Sequence, residues 1–162
     1  MDTLFDLPAH TLLIHAPIVL LPLAAVATVV LAVRPGWRRS VGWWPVVGSA
    51  VLTVRVFLAK SSGEAFDEAL AGAVDVGTHE QLGNTTFVLT LIWLGVTAVV
   101  VALDQTAVGV TARPGLLAQS PAVLAVSAAW VLVAALATIW LIRTGHEGAR
   151  LVWEPTMDVL DF

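Results

Sequence analysis

The sequence predicts an all-α integral membrane protein, a four-transmembrane-helix bundle with up-down-up-down topology. The first observation is composition: 58% of the 162 residues are hydrophobic and only 12% are charged, whereas soluble domains have roughly 45–50% apolar and about 25% charged residues. The second is the length of the apolar runs, since about 20 residues cross the hydrocarbon core as a helix. We expect a single transmembrane domain, residues 1–162, with spans at 11–33, 41–60, 79–103 and 120–143.

The first span carries two prolines, Pro17 and Pro22. Each lacks an N–H and leaves the carbonyl four residues earlier without its helical partner. Inside lipid such a carbonyl must be satisfied by protein groups. We therefore expect a kinked helix that packs against its neighbours.

The remaining boundaries are predicted from caps and breakers. Ser40 and Ser120 are expected to be N-caps, and Gly145 is expected to end the last helix. The run Lys60-Ser61-Ser62-Gly63 is expected to close the second span, with a short surface helix over 64–71. The third helix is expected to begin at the capping box Thr78-His79-Glu80-Gln81.

The orientation follows from the basic residues. Basic side chains outnumber acids in the two short turns, which contain Arg34, Arg38, Arg39 and Arg113 against Asp104. The positive-inside rule then places these turns in the cytoplasm and both termini outside. We expect a multi-pass protein of the cell (inner or plasma) membrane, with the polar segment 61–84 also extracytoplasmic.

An even number of spans brings all four histidines to one membrane face. Neutral imidazole binds iron, copper, zinc and nickel, so this layer suggests a metal or haem site. His10 and His15 are five residues apart and project about 140° apart on a straight helix, which argues against both binding one ion. His15, His79 and His146 come from three elements and converge more easily, with His10 peripheral.

Charged neighbours extend this candidate site. Glu80 and Glu147, each beside a histidine, could bind a metal or orient an imidazole. Arg55 lies within the second span and would either face a pocket, paired with Glu64, Asp67 or a haem propionate, or extend to the headgroups. The candidate metal set is His10, His15, His79, His146, Glu80 and Glu147, and the candidate cofactor set is His15, His79, His146 and Arg55.

The alternative to a metal or haem site is that the histidines lie at the membrane interface only because hydrocarbon excludes them. No catalytic residue is assigned, because no serine or threonine has the partners of a nucleophile, so hydrolysis is not supported. The absence of cysteine excludes thiolate metal sites and covalent haem attachment. The net charge of -4 argues against nucleic acid as a partner.

Three motifs resemble a known family. The segment His10-Thr11-Leu12-Leu13-Ile14-His15-Ala16-Pro17-Ile18 resembles the His-Pro…Val-His-Phe-Pro-Ile opening of a bacterial four-helix membrane family, domain of unknown function 2231. His79-Glu80 and Gly145-His146-Glu147-Gly148-Ala149-Arg150-Leu151-Val152 are similar to its later elements. The departures are Thr11 for Pro, Ala16 for Phe and Ala149 for Gly. Through relatives joined to Rieske-type or cytochrome c-type modules, the resemblance implies a redox role and b-type haem.

The leading functional hypothesis is a redox or electron-transfer component that binds haem b at its extracytoplasmic face, with copper or another transition metal as the alternative cofactor. Whether it is an enzyme stays open. The expected partners are the lipid bilayer, a redox partner protein and a second copy of the chain. Two alternatives remain: a non-enzymatic scaffold or accessory subunit, and a proton- or metal-linked transporter. No internal repeat in the sequence is strong enough to claim.

Overall fold

A computed structural model describes residues 3–4, 7–70, 73–106 and 121–159. The chain begins with a two-residue antiparallel pairing of β1 (Thr3–Leu4) with β2 (Leu7–Pro8). All other elements within the described residues are helices: α1 (Ala9–Leu13), α2 (His15–Val33), α3 (Pro35–Val41), α4 (Trp44–Leu70), α5 (Gly77–Thr106) and α6 (Pro121–Val159). Within these residues, four segments are long and apolar enough to cross a membrane: Ala9–Val33, Trp44–Leu70, Gly77–Gln105 and Pro121–Glu154. The predicted all-α membrane fold is confirmed.

The first span is interrupted at Ile14, between α1 and α2. Pro17 is the third residue of α2 and has no N–H to donate to the Leu13 carbonyl, so the helix is weakest one turn before it. The chain still keeps helical contacts across this point, from the Ile14 N–H to the His10 carbonyl at 3.1 Å. Helix α2 continues through Pro22, and the kink expected in the first span stays a prediction.

The prediction that α4 closes at residues 60–63 was wrong, because the helix continues to Leu70 and includes the stretch assigned to a separate surface helix. The Ser62 hydroxyl donates to the Ala59 carbonyl at 2.8 Å, so this serine bonds back to its own helix. Lys60 pairs with Glu64 one turn later, and such pairs support exposed helices.

The assignments of Gly145 and Ser40 were also wrong. Helix α6 continues past Gly145 to Val159, with Arg150 paired to Glu147 and Glu154 on one face. Ser40 lies inside α3, where its hydroxyl donates to the Gly36 carbonyl at 3.1 Å. The predicted caps and turn residues Ser120 and Arg113 lie outside the described residues.

Helices α4 and α5 pack antiparallel beside an apolar core. The Thr53 hydroxyl approaches the Thr90 carbonyl at 3.3 Å, while Phe57 packs on Phe87, so α4 and α5 run in opposite directions. Between α5 and α6, the Trp130 indole N–H donates to the Thr97 hydroxyl at 2.7 Å. Buried residues between the helices include Leu21, Leu52, Val56, Trp93, Trp130, Ala134 and Ala137. The alternation of these helices across a membrane stays a prediction.

The outward faces are apolar. Leu23, Val26 and Leu132 are more than half exposed, although each lies within a candidate span. A soluble bundle places polar residues on this face. The surface is therefore suited to lipid chains.

One end of the bundle contains a buried ion pair. Arg38, on α3, is 2% exposed, and Asp104, near the end of α5, is 3% exposed. The guanidinium contacts both carboxylate oxygens, with Nη2 at 3.1 Å from Oδ1, and its Nη1 lies 3.4 Å from the Ser127 hydroxyl of α6. From the sequence, Arg38 and Asp104 were predicted to lie in turns. In the structure, their contacts connect α3, α5 and α6.

Candidate histidine centre

The structure brings two histidines together at the opposite end of the bundle. His10 of α1 and His79 of α5 are both half-buried. Their ring centroids lie 6.3 Å apart, and the ring planes are nearly perpendicular, at 89°. We call this pair the histidine centre.

The His10 ring is held against α4. Its Nδ1 lies 3.0 Å from the Ala59 carbonyl oxygen and 3.3 Å from the Ser62 hydroxyl. A carbonyl only accepts hydrogen bonds, so Nδ1 carries the hydrogen and Nε2 keeps the lone pair of the neutral ring. The ring edge faces Gly63, where an added Cβ would lie 3.0 Å from Cε1. Phe66 stacks at 6.5 Å between centroids.

The His79 ring is held against α6 in the same manner. Its Nδ1 lies 3.0 Å from the Thr144 carbonyl oxygen, which assigns it the same tautomer. Its edge faces Gly148, where an added Cβ would lie 2.9 Å from Cε1. Two imidazoles from separate helices are thus fixed through Nδ1 by main-chain groups.

This arrangement suits metal ligation. Metal-binding histidines typically donate their other ring N–H to a carbonyl or carboxylate, which fixes the tautomer. Within the described residues, no protein group hydrogen-bonds to Nε2 of His10 or His79. A metal ion about 2.0–2.1 Å from one nitrogen of each ring is compatible with the 6.3 Å separation of the centroids.

The other two histidines lie apart from this centre. His15 is exposed, and its Nδ1 lies 2.6 Å from the Thr11 carbonyl in the preceding turn. His146 is exposed on α6, two residues after Thr144. Among the described residues, no group of three or more histidine, aspartate or glutamate side chains is placed to hold a metal ion.

The charged candidates lie around the centre. Glu80 is exposed beside His79, and Glu147 pairs with Arg150 Nη1 at 3.5 Å. Arg55 is exposed. It also lies one turn before Ala59, so it shares the α4 face that holds His10.

Sequence reasoning treated His10 as peripheral and missed the two glycines. A signal for them is present, because each carbonyl that holds an imidazole is followed four residues later by glycine, as Ala59-x-x-x-Gly63 and Thr144-x-x-x-Gly148. Small residues at this spacing allow close approach between membrane helices. Here a histidine ring occupies the space that they leave.

Comparison with known proteins agrees with the fold. A family model described as "Predicted membrane protein (DUF2231)" matches residues 6–160. No curated protein and no solved structure matches the chain. The family match includes all four spans and all four histidines. The chain therefore belongs to this family of predicted membrane proteins, domain of unknown function 2231.

Proposed function

We propose that this protein is a membrane electron-transfer component that binds haem b at its extracytoplasmic face, and that His10 and His79 are the residues that would hold the haem iron. The observation that carries the proposal is the pair of neighbouring imidazoles, with ring centroids 6.3 Å apart and each oriented through Nδ1 by a main-chain carbonyl. This ligand pair differs from the set expected from the sequence, because His10 takes the place of His15 and His146.

The number of protein ligands favours haem over a bare ion. Structural zinc sites use about four protein ligands and catalytic ones about three, and the described residues supply only two imidazoles here. A porphyrin brings four nitrogens of its own, so two imidazoles would be enough protein ligands to hold its iron. A haem held in this way by two histidines would supply electron transfer. Copper or another transition metal is the second cofactor candidate.

Arg55 is the proposed partner of a haem propionate. Arg55 lies on the α4 face that also carries Ala59. Its side chain is exposed and forms no ion pair within the described residues. A carboxylate beside it would gain a charge-assisted hydrogen bond. Arg55 would then orient the haem without binding the iron.

The orientation is proposed from the opposite end of the bundle. Arg34 and Arg39 join Arg38 in the short connection between α2 and α4, and basic residues favour the cytoplasm. The histidine centre would then face outward, where a redox partner protein could reach it.

The test uses the full chain purified in detergent, with and without added haemin. We expect a Soret band, α and β bands on reduction, and one iron per haem. His10→Asn and His79→Asn keep an amide donor near the position of Nδ1 but lack Nε2. We expect both variants to stay folded, by circular dichroism, and to lose haem.

The matched controls are His15→Asn and His146→Asn, which change exposed histidines and should retain haem. Loss of haem in these two variants, with retention in His10→Asn, would assign the ligands to the sequence-predicted set instead. A wild-type protein with neither a Soret band nor stoichiometric metal would refute the proposal.

A further inference from the structure

The contacts that hold the two histidines are equivalent. We call each set of contacts, one around His10 and one around His79, a seat. In each, Nδ1 of an imidazole faces the carbonyl of one residue, and the ring edge faces the glycine four residues later. The pairs are Ala59 with Gly63, and Thr144 with Gly148. The same contact is thus built twice from different parts of the chain.

The equivalence continues along the helices that carry the histidines. An offset of 69 residues, the separation of His10 and His79, aligns α2 with α5. The buried residues of α2 are Pro17, Leu21, Thr28 and Ala32. With this offset they align with Thr86, Thr90, Thr97 and Val101, all of them buried. The two helices therefore bury the same face, measured from their histidines.

The helices that carry the glycines correspond as well. An offset of 85 residues, the separation of Gly63 and Gly148, aligns α4 with α6. Buried Ser49 and Leu52 then align with buried Ala134 and Ala137. Thr53 aligns with Thr138, and both hydroxyls donate to the carbonyl four residues earlier, at 2.8 and 2.9 Å.

The contacts between the two halves of the chain show the same equivalence. Helix α4 packs on α5, and α6 packs on α2, as a two-fold rotation that swaps the halves requires. Both halves begin with their histidine at the same end of the bundle. Repeats in one orientation are related by an axis along the membrane normal.

We infer that the chain consists of two structurally equivalent helical hairpins, α1–α2 with α4 and α5 with α6, and that Gly63 and Gly148 are equivalent positioning residues for His10 and His79. The two-fold axis passes between the imidazoles, so a group bound there meets the same ligand in the same tautomer on both sides. The expected identity of that group rests on the proposed function. The repeat and the role of the glycines do not.

The glycines act by removing a steric obstacle. A Cβ at 2.9–3.0 Å from Cε1 is closer than the ordinary van der Waals separation of two carbon atoms. Glycine inside a helix is less favourable than alanine, so both positions run against helix propensity. Alanine at either position must displace the imidazole and weaken its bond to the carbonyl.

The test measures the imidazoles directly in the full chain without haem. In protein labelled with ¹⁵N-histidine, nitrogen chemical shifts report the tautomer of each ring. We expect Nδ1–H for His10 and His79. Gly63→Ala should change the His10 signals and Gly148→Ala those of His79. The matched controls are Gly48→Ala in α4 and Gly145→Ala in α6, where an added Cβ meets nothing within 4 Å, and both should leave the signals unchanged.

Stability supplies a second measurement if a variant folds poorly. Removal of the opposing ring should relieve the clash, so Gly63→Ala combined with His10→Asn should be more stable than the sum of the single changes predicts. The same holds for Gly148→Ala with His79→Asn. Additive effects in both pairs would overturn the positioning role.

The remaining outcomes separate the two ideas. A response in one seat and none in the other would overturn the equivalence. In haem-loaded protein, both glycine variants should weaken haem binding by a similar factor, about 10-fold to 100-fold. Glycine-dependent tautomers without haem binding would refute the proposed function alone. Haem binding with imidazoles that do not respond would refute this inference alone.

Discussion

The two ends of the bundle place polar groups between helices in different ways. At one end, Arg38 and Asp104 are almost completely buried, and the guanidinium contacts both carboxylate oxygens and Ser127. At the other, His10 and His79 are half-buried, and each is bonded through only one ring nitrogen to the main chain. At the first end, the charged groups are satisfied by one another and by Ser127. At the second end, each ring keeps one nitrogen that could bind a ligand.

This contrast shows which of the two polar clusters is structural. A charge inside a membrane protein must be paired, because burying it alone is expensive. The ion pair meets this need and clamps α3, α5 and α6 together. A neutral imidazole tolerates partial burial with one hydrogen bond, so the histidine centre can keep its Nε2 atoms for a ligand.

The largest effect is expected from Asp104→Asn. This change leaves the buried Arg38 charge without its counter-ion, and breaking a buried pair costs about 3–5 kcal/mol of the free energy of unfolding. Unfolding by a denaturing detergent, followed by circular dichroism, measures the loss. The control is the double change Arg38→Met with Asp104→Leu, which should recover most of it. A loss below about 1 kcal/mol in the single variant would show that the pair is not a clamp.

A smaller effect is expected from His79→Ala at the other end. It removes one hydrogen bond, to the Thr144 carbonyl, and a net contribution of about 0.5–1.5 kcal/mol is typical of such a bond. The same unfolding assay applies, with His79→Asn as the control that should stay closer to wild type. If His79→Ala destabilised the protein as much as Asp104→Asn, both ends would be structural and the contrast would fail.

The smallest effect is expected from Glu64→Gln, which breaks the pair with Lys60 on the turn of α4 that holds His10. Solvent reaches this pair, with side-chain exposures of 20% for Lys60 and 41% for Glu64, so its contribution should be about 0.2–0.5 kcal/mol and should fall with added salt. Helix content and unfolding at low and high salt measure it. A loss above about 1 kcal/mol would mean that this surface pair holds the end of α4.

The sequence alone determined the fold class and the number of spans. Lipid offers no hydrogen bonds to the backbone, so long apolar runs must be helical. Composition and run length therefore predicted the four candidate spans. The even number of spans, together with the motif around His10 and Pro17, led to the histidine end and to the family that the comparison shows.

The positions at which helices begin and end could not be predicted from composition, because they depend on side-chain contacts. A polar stretch with glycine predicted that α4 stops near Gly63, yet the bond from Ser62 to Ala59 and the pair of Lys60 with Glu64 continue the helix. Arg38 was counted as a turn charge because its partner is 66 residues away in the chain. Such long-range pairs have no local signal.

Only the tertiary structure decided which histidines meet. The five-residue spacing of His10 and His15 argued against a shared ion but could not tell which of them lies against α5. That choice depends on the rotation of α1 against α4, which the carbonyl of Ala59 and the space at Gly63 set. The correspondence of the two hairpins is also not recognisable from their amino-acid sequences. A two-fold arrangement requires equivalent positions to be buried, but it does not require the same side chains at those positions.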